Sequence, residues 1–156
     1  MTGNLVHFSA GHFLYDVLAL GIAGLMIERR EYQGFAVLCA MTALAIGGAL
    51  LLFAPDTNYY GGASGIATAA IVFLALHGLE VGGTYRWVCG AALICVGAKI
   101  VAEFAVGRSL FLAQHDSGLV LCPLSHLVGA LSALGLYGVR RIGSIPVAGR
   151  CSRQIT

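Results

Sequence analysis

The sequence predicts an all-α membrane protein, a bundle of five transmembrane helices, and three observations carry that reading. Of 156 residues, 58% are hydrophobic and only 10% are charged, a balance that a soluble domain of this size does not easily keep in solution. Five segments reach the roughly 20 apolar residues that a helix needs to cross a hydrocarbon core: Leu5 to Ile27, Phe35 to Ala54, Gly62 to Leu79, Trp87 to Val106, and Leu119 to Val139. The basic residues are sorted by loop, as the connections of a multi-span protein require. Each span must satisfy its own backbone hydrogen bonds in lipid, which a helix does. Together the spans form one transmembrane domain over residues 1–142, with a short tail at 143–156.

The first span follows Met1-Thr2-Gly3-Asn4 without the basic residues that precede a secretory signal, so it is expected to remain as structure. Arg29 and Arg30 follow this span, Arg86 lies between spans three and four, and Arg140, Arg141, Arg150 and Arg153 follow span five. The positive-inside rule makes those loops cytoplasmic. The opposite loops carry only Arg108, with Asp56 and Asp116 nearby, which places the N-terminus outside and the C-terminus inside. Tyr59, Tyr60, Tyr85 and Trp87 sit at span ends, where amphipathic aromatics favour the interface.

Ionisable residues within the spans are the informative ones, because each costs about 2.5 kcal/mol or more at mid-bilayer without a partner. Span one carries His7, His12 and Asp16, span three begins with Ser64, span four holds Lys99 and Glu103, and span five holds His126. With the orientation above, His12, Asp16, Ser64 and His126 fall in the outer half of the bilayer, on three different helices.

Ser64 stands in Tyr60-Gly61-Gly62-Ala63-Ser64-Gly65, at the first turn of an apolar helix. Glycines let a substrate approach the backbone closely, and a helix start offers N–H donors that favour a developing anion. A hydrolytic serine needs both, although taken alone this stretch favours tight helix packing. His126 lies in Pro123-Leu124-Ser125-His126-Leu127-Val128-Gly129-Ala130, with Gly129 and Ala133 one helical repeat apart. Such a small-residue face lets the helix press against a neighbour and would bring His126 within reach of Ser64. A histidine bonded to a backbone carbonyl is the competing reading.

His12 and Asp16 share a helix face four residues apart. His12 would donate to an oxyanion beside the Ser64 N–H, a stabilisation of roughly 3 to 4 kcal/mol per donor, or else simply satisfy Asp16. Lys99 and Glu103 have the same spacing, and mutual neutralisation is the favoured reading of that pair. His77 and Glu80 read as interfacial. Cys39, Cys89, Cys95, Cys122 and Cys151 form no CxxC pair, so neither a disulfide framework nor a metal site is expected. No cofactor is implied, and the formal charge of +2 implies no nucleic-acid partner.

Taken in order, these stretches resemble the rhomboid family of intramembrane proteases. The matching pieces are His7-Phe8-Ser9-Ala10-Gly11-His12 with a polar residue at Asp16, Glu28-Arg29-Arg30, Tyr60 to Gly65, and Ser125-His126-Leu127-Val128-Gly129. The resemblance implies a six-helix core of which this chain supplies helices two to six. A narrower resemblance, carried by Lys99-Ile100-Val101-Ala102-Glu103, the short length and the external loop before the histidine helix, is to rhombosortase-like members. Those are thought to cleave glycine-rich C-terminal sorting anchors of exported bacterial proteins, which implies a membrane-anchored protein substrate and the bacterial plasma membrane.

The resemblance also implies roles. Ser64 attacks the scissile carbonyl and His126 is its general base, with no acid needed to orient the imidazole. His12, Asp16 and the Ser64 N–H line the oxyanion hole, Gly62, Ala63 and His7 contact substrate, and the loop from Gly107 to Leu121 caps the site. Two positions depart from the family pattern. Asp16 stands where asparagine is common, so it is expected to be either a protonated donor or turned toward His12. Thr68 replaces an aromatic residue that packs under the histidine. Two other functions fit the composition: an inactive rhomboid-like protein that binds membrane clients, and a small transporter using Lys99, Glu103 and Asp16. The second lacks the internal repeat common in transporters.

Overall fold

The computed structural model describes residues 2–7, 9–55, 60–106 and 123–143. Phe8, Asp56, Tyr59, Arg108, Asp116, Cys122, Arg150, Cys151, Arg153, the expected cap from Gly107 to Leu121 and the tail after Gly143 lie outside the described residues.

Five α-helices follow a 3₁₀ turn at Thr2–Leu5: α1 (Ala10–Arg29), α2 (Phe35–Phe53), α3 (Ser64–Val81), α4 (Gly83–Val106) and α5 (Pro123–Gly143). There are no strands among the described residues. The first four helices are long and apolar enough to cross a membrane. The fifth expected helix is present as α5, and it is the most amphipathic of the five. It carries Ser125, His126, Ser132, Arg140 and Arg141, and it buries Ser125, His126 and Ala133 against the bundle.

Span one also starts later than expected. Ser9 caps α1 by accepting the His12 N–H at 3.1 Å, as a short polar side chain does at a helix start. His7 therefore precedes the helix instead of lying on it. In the 3₁₀ turn before it, Asn4 is buried, accepts from the Tyr60 hydroxyl at 3.1 Å and donates to the Ala43 carbonyl at 3.5 Å. The α3–α4 connection is a single residue, Gly82, which with Gly83 adopts positive φ. Arg86 consequently sits inside the first turn of α4.

Helix α3 is the hub and packs on each of the other four. Its interior is built mostly from small residues, Gly65, Ala67, Ala69, Ala70, Ala75 and Gly78, all buried. Lipid tails are as apolar as leucine, so helices in a membrane associate through close packing, which small residues permit. The large apolar side chains point outward instead, including Leu51, Leu52, Phe53, Trp87, Ile94 and Val139. The central cluster joins Ala23 and Ile27 of α1, Leu38 of α2, Phe73 of α3 and Ala133 of α5.

One end of the bundle is closed by aromatics. His77 stacks on Tyr32 with ring centroids 4.5 Å apart, meets Tyr137 edge-on, and bonds through Nδ1 to the Phe73 carbonyl at 3.0 Å. Arg140 donates to the Gln33 carbonyl, and Tyr137 donates to Glu80. This ties α5 to the α1–α2 turn and α3, and leaves the opposite ends of α3 and α5 to carry Ser64 and His126.

Candidate active site

Ser64 is the first residue of α3, so its N–H belongs to the four at a helix start that no carbonyl of the same helix accepts. The chain reaches this point through Gly62, whose φ is +118°. A Cβ there would lie 2.6 Å from His12 Nε2 and 3.1 Å from Asp16 Oδ2. Only glycine combines that backbone conformation with so close an approach.

The approach of α5 to α3 brings the histidine in. A Cβ on Gly129 would collide with the Gly65 carbonyl oxygen, and one on Gly65 would lie 2.8 Å from the Ser125 carbonyl. The two backbones touch where side chains are missing. Just beyond that contact, the Ser64 hydroxyl oxygen lies 3.0 Å from His126 Nε2, within normal hydrogen-bond range. His126 is buried, at 5% exposed.

Asp16 sits between the two histidines and the loop before the serine. Its Oδ2 accepts the Ala63 N–H at 2.7 Å and lies 3.3 Å from Nε2 of both His12 and His7. The carboxylate thus anchors the loop immediately before the serine. His12 Nε2 is buried and makes no hydrogen bond. His7 meets His12 and Phe13 edge-on, with centroids 5.3 and 5.1 Å away. Thr68 turns its hydroxyl back to the Ser64 carbonyl at 2.8 Å, a bond an aromatic residue there would not make.

Pairing with Lys99 is the favoured reading of Glu103 from sequence, and the structure adds to that pairing. Lys99 Nζ donates to Glu103 Oε1 at 2.7 Å, while the other carboxylate oxygen, Oε2, lies 2.6 Å from His126 Nδ1. Lys99 Nζ is also 3.1 Å from that nitrogen. Glu103 is fully buried. One signal could have exposed this arrangement: α4 returns antiparallel to α3 after a one-residue connection, so Lys99 and Glu103 near its end come level with Ser64 at the start of α3.

A cavity of about 220 Å³ opens beside these groups, between α1 and α4 over α3. Asp16, Ser64, Lys99 and His126 supply its polar wall, and Ala19, Ile71, Val96 and Ile100 its apolar wall. A larger cavity of about 450 Å³ lies between the 3₁₀ turn and the far end of α2, lined by Asn4, Leu44, Leu51 and Tyr60. It contains neither Ser64 nor His126. No cluster suited to a metal ion occurs among the described residues.

Neither the curated proteins nor the solved structures contain a match to this chain. A family model described as the rhomboid domain, however, matches residues 1–141. That span takes in α1 to α4, all but the last two residues of α5, and both sides of the Ser64 contact. With its four long apolar helices, the chain is therefore a multi-pass protein of the lipid bilayer and belongs to the rhomboid family, a family of intramembrane serine proteases.

Proposed function

We propose that the chain is a serine endopeptidase that cuts a transmembrane or C-terminal anchor segment of exported proteins, with Ser64 as nucleophile and His126 as general base. The carrying observation is the 3.0 Å contact between Ser64 Oγ and His126 Nε2. In this reading Ser64 Oγ bonds to the scissile carbonyl carbon while its proton passes to His126 Nε2. The tetrahedral intermediate collapses as the same proton moves to the leaving amine, and the C–N bond breaks. A water molecule, deprotonated by His126, then hydrolyses the acyl-enzyme and restores Ser64.

His12 and the Ser64 N–H are the oxyanion donors of this scheme, with Asp16 holding the loop that aims them. Gly62, Ala63 and His7 border the approach of the substrate backbone. The apolar wall of the cavity suits a hydrophobic peptide segment. The sorting of the arginines supports a site near the outer face of a bacterial plasma membrane, N-terminus outside. The Lys99 to Glu103 stretch supports the rhombosortase-like branch.

A fluorophosphonate probe is expected to label the detergent-solubilised protein at Ser64, and Ser64→Ala is expected to lose both labelling and cleavage of a membrane-anchored reporter. A folded wild-type preparation that neither labels nor cleaves would instead identify an inactive client-binding protein.

Asp16 supplies a second expectation. Asp16→Ala leaves the Ala63 N–H without its acceptor, a loss of about 1–3 kcal/mol for a buried donor, and frees the loop before Ser64. Asparagine at that site retains an acceptor oxygen. Cleavage rates are expected to fall about 10-fold or more in Asp16→Ala, by RT ln 10 per 1.4 kcal/mol, and much less in Asp16→Asn. Equal losses in the two variants would remove the anchoring role.

A further inference from the structure

The family resemblance implies a dyad that needs no acid behind the histidine, yet a carboxylate stands there. We infer that Glu103 completes a Ser64–His126–Glu103 triad as a positioning residue, and that Lys99 sets which oxygen of Glu103 faces the imidazole. The inference rests on the serine–histidine reading above and extends it to the third residue.

The argument begins with a 2.6 Å separation. Glu103 Oε2 and His126 Nδ1 are both acceptors unless a proton lies between them, and two lone pairs at that distance repel. The other carboxylate oxygen is already engaged by the Lys99 ammonium at 2.7 Å, which favours an ionised Glu103. The proton between Oε2 and Nδ1 is therefore carried by the imidazole. Once Nδ1 bears it, the neutral ring has its lone pair on Nε2, the atom that faces Ser64 Oγ at 3.0 Å. This is the tautomer that a general base requires. When His126 takes the serine proton, the resulting imidazolium donates to a carboxylate already in place.

Burial makes the arrangement rigid. Glu103 is 0% exposed and the His126 side chain 7%. Among the described residues, the groups facing the ring are Ser64 from α3, Glu103 and Lys99 from α4, and Asp16 across the cavity from α1. Of these only Glu103 meets Nδ1 as an acceptor. Lys99, 3.1 Å from Nδ1, would donate to that nitrogen if Glu103 were absent, and would thereby force the proton onto Nε2. The carboxylate and the ammonium compete for one tautomer, and the shorter contact decides in favour of the carboxylate.

The test exploits that competition. In Glu103→Gln, Lys99 continues to hold the side-chain oxygen, which turns the amide NH₂ toward Nδ1 and imposes the wrong tautomer. Turnover of a membrane-anchored reporter is expected to fall roughly a thousandfold or more, with KM little changed. In the double variant Lys99→Met/Glu103→Gln, the ammonium no longer holds the amide oxygen, which rotates to accept from Nδ1–H. The double variant is expected to recover at least about tenfold over Glu103→Gln, one decade being 1.4 kcal/mol of barrier.

A merely structural Glu103 would not be rescued by a second substitution at its own partner. A Glu103→Gln rate within about threefold of wild type, or a folded double variant no faster than the single one, overturns the inference. If Glu103→Gln does not fold, the double variant decides alone: activity within about 100-fold of wild type supports the triad, and a lower value or failure to fold overturns it. Wild-type labelling at Ser64 separates the two levels. Labelling with an unaffected Glu103→Gln fails only the triad, whereas no labelling of wild type fails the serine–histidine reading itself.

Discussion

His126→Ala is expected to stop cleavage of a membrane-anchored substrate almost entirely, lowering turnover by at least about a thousandfold while leaving the helical bundle folded. Without the imidazole, the Ser64 proton has no acceptor in the described site at hydrogen-bond distance, and the leaving amine has no donor. Serine and histidine that act as one unit show strongly non-additive losses, because removing either forfeits nearly the whole effect. The double variant Ser64→Ala/His126→Ala should accordingly be no slower than either single one. Lys99 and Glu103 still neutralise each other in His126→Ala, at 2.7 Å, so the buried carboxylate keeps a partner and the fold is spared. Turnover within tenfold of wild type, or losses that multiply in the double variant, would remove His126 from the role of base.

The second large effect is expected at Gly129, which touches no substrate. Gly129→Ala places a methyl group against the Gly65 carbonyl, a backbone atom that cannot rotate away. Overpacking of this kind costs about 1–3 kcal/mol and is relieved by moving α5 outward. His126 rides on that helix one turn earlier, so a shift of about 1 Å would carry Nε2 out of reach of Ser64. Misplacement on that scale costs on the order of a hundredfold in rate. Gly129→Ala should therefore lower both thermal stability and turnover, with fluorophosphonate labelling slowed in proportion.

Gly135 provides the contrast within the same helix. A Cβ there meets nothing within 4 Å, and alanine exceeds glycine in helix propensity by about 0.8–1.0 kcal/mol. Gly135→Ala should leave activity intact and stability equal or improved. If both substitutions behaved alike, close approach of α3 and α5 would not be what seats the histidine.

Much of this site was legible before any fold was known, because its residues are costly where they stand. A serine between glycines at a helix start and a histidine on a small-residue face are local patterns. Gly62 and Gly129 could be marked as points of close approach from their type alone. Other features were legible only in part. His7 reads as part of span one until Ser9 is seen to cap the helix after it. Helix α5 reads as one more apolar span, although Ser125 and His126 in its first turn are turned inward onto its neighbours.

Asp16 and Glu103 show where one-dimensional reading ends. Each has a partner four residues away, and that local pairing accounts for its charge so well that nothing in the sequence demands another. The fold adds the Ala63 N–H to the first and His126 to the second, 47 and 23 residues distant along the chain.

What the sequence alone determined was the lipid environment, the helices, and the candidate nucleophile and base. These follow from transfer free energy and backbone chemistry, which act residue by residue. Only the tertiary structure decided which polar groups meet. That outcome depends on how each helix is rotated and how closely α3 and α5 can approach, and the glycines at their crossing, Gly65 and Gly129, are what permit the approach.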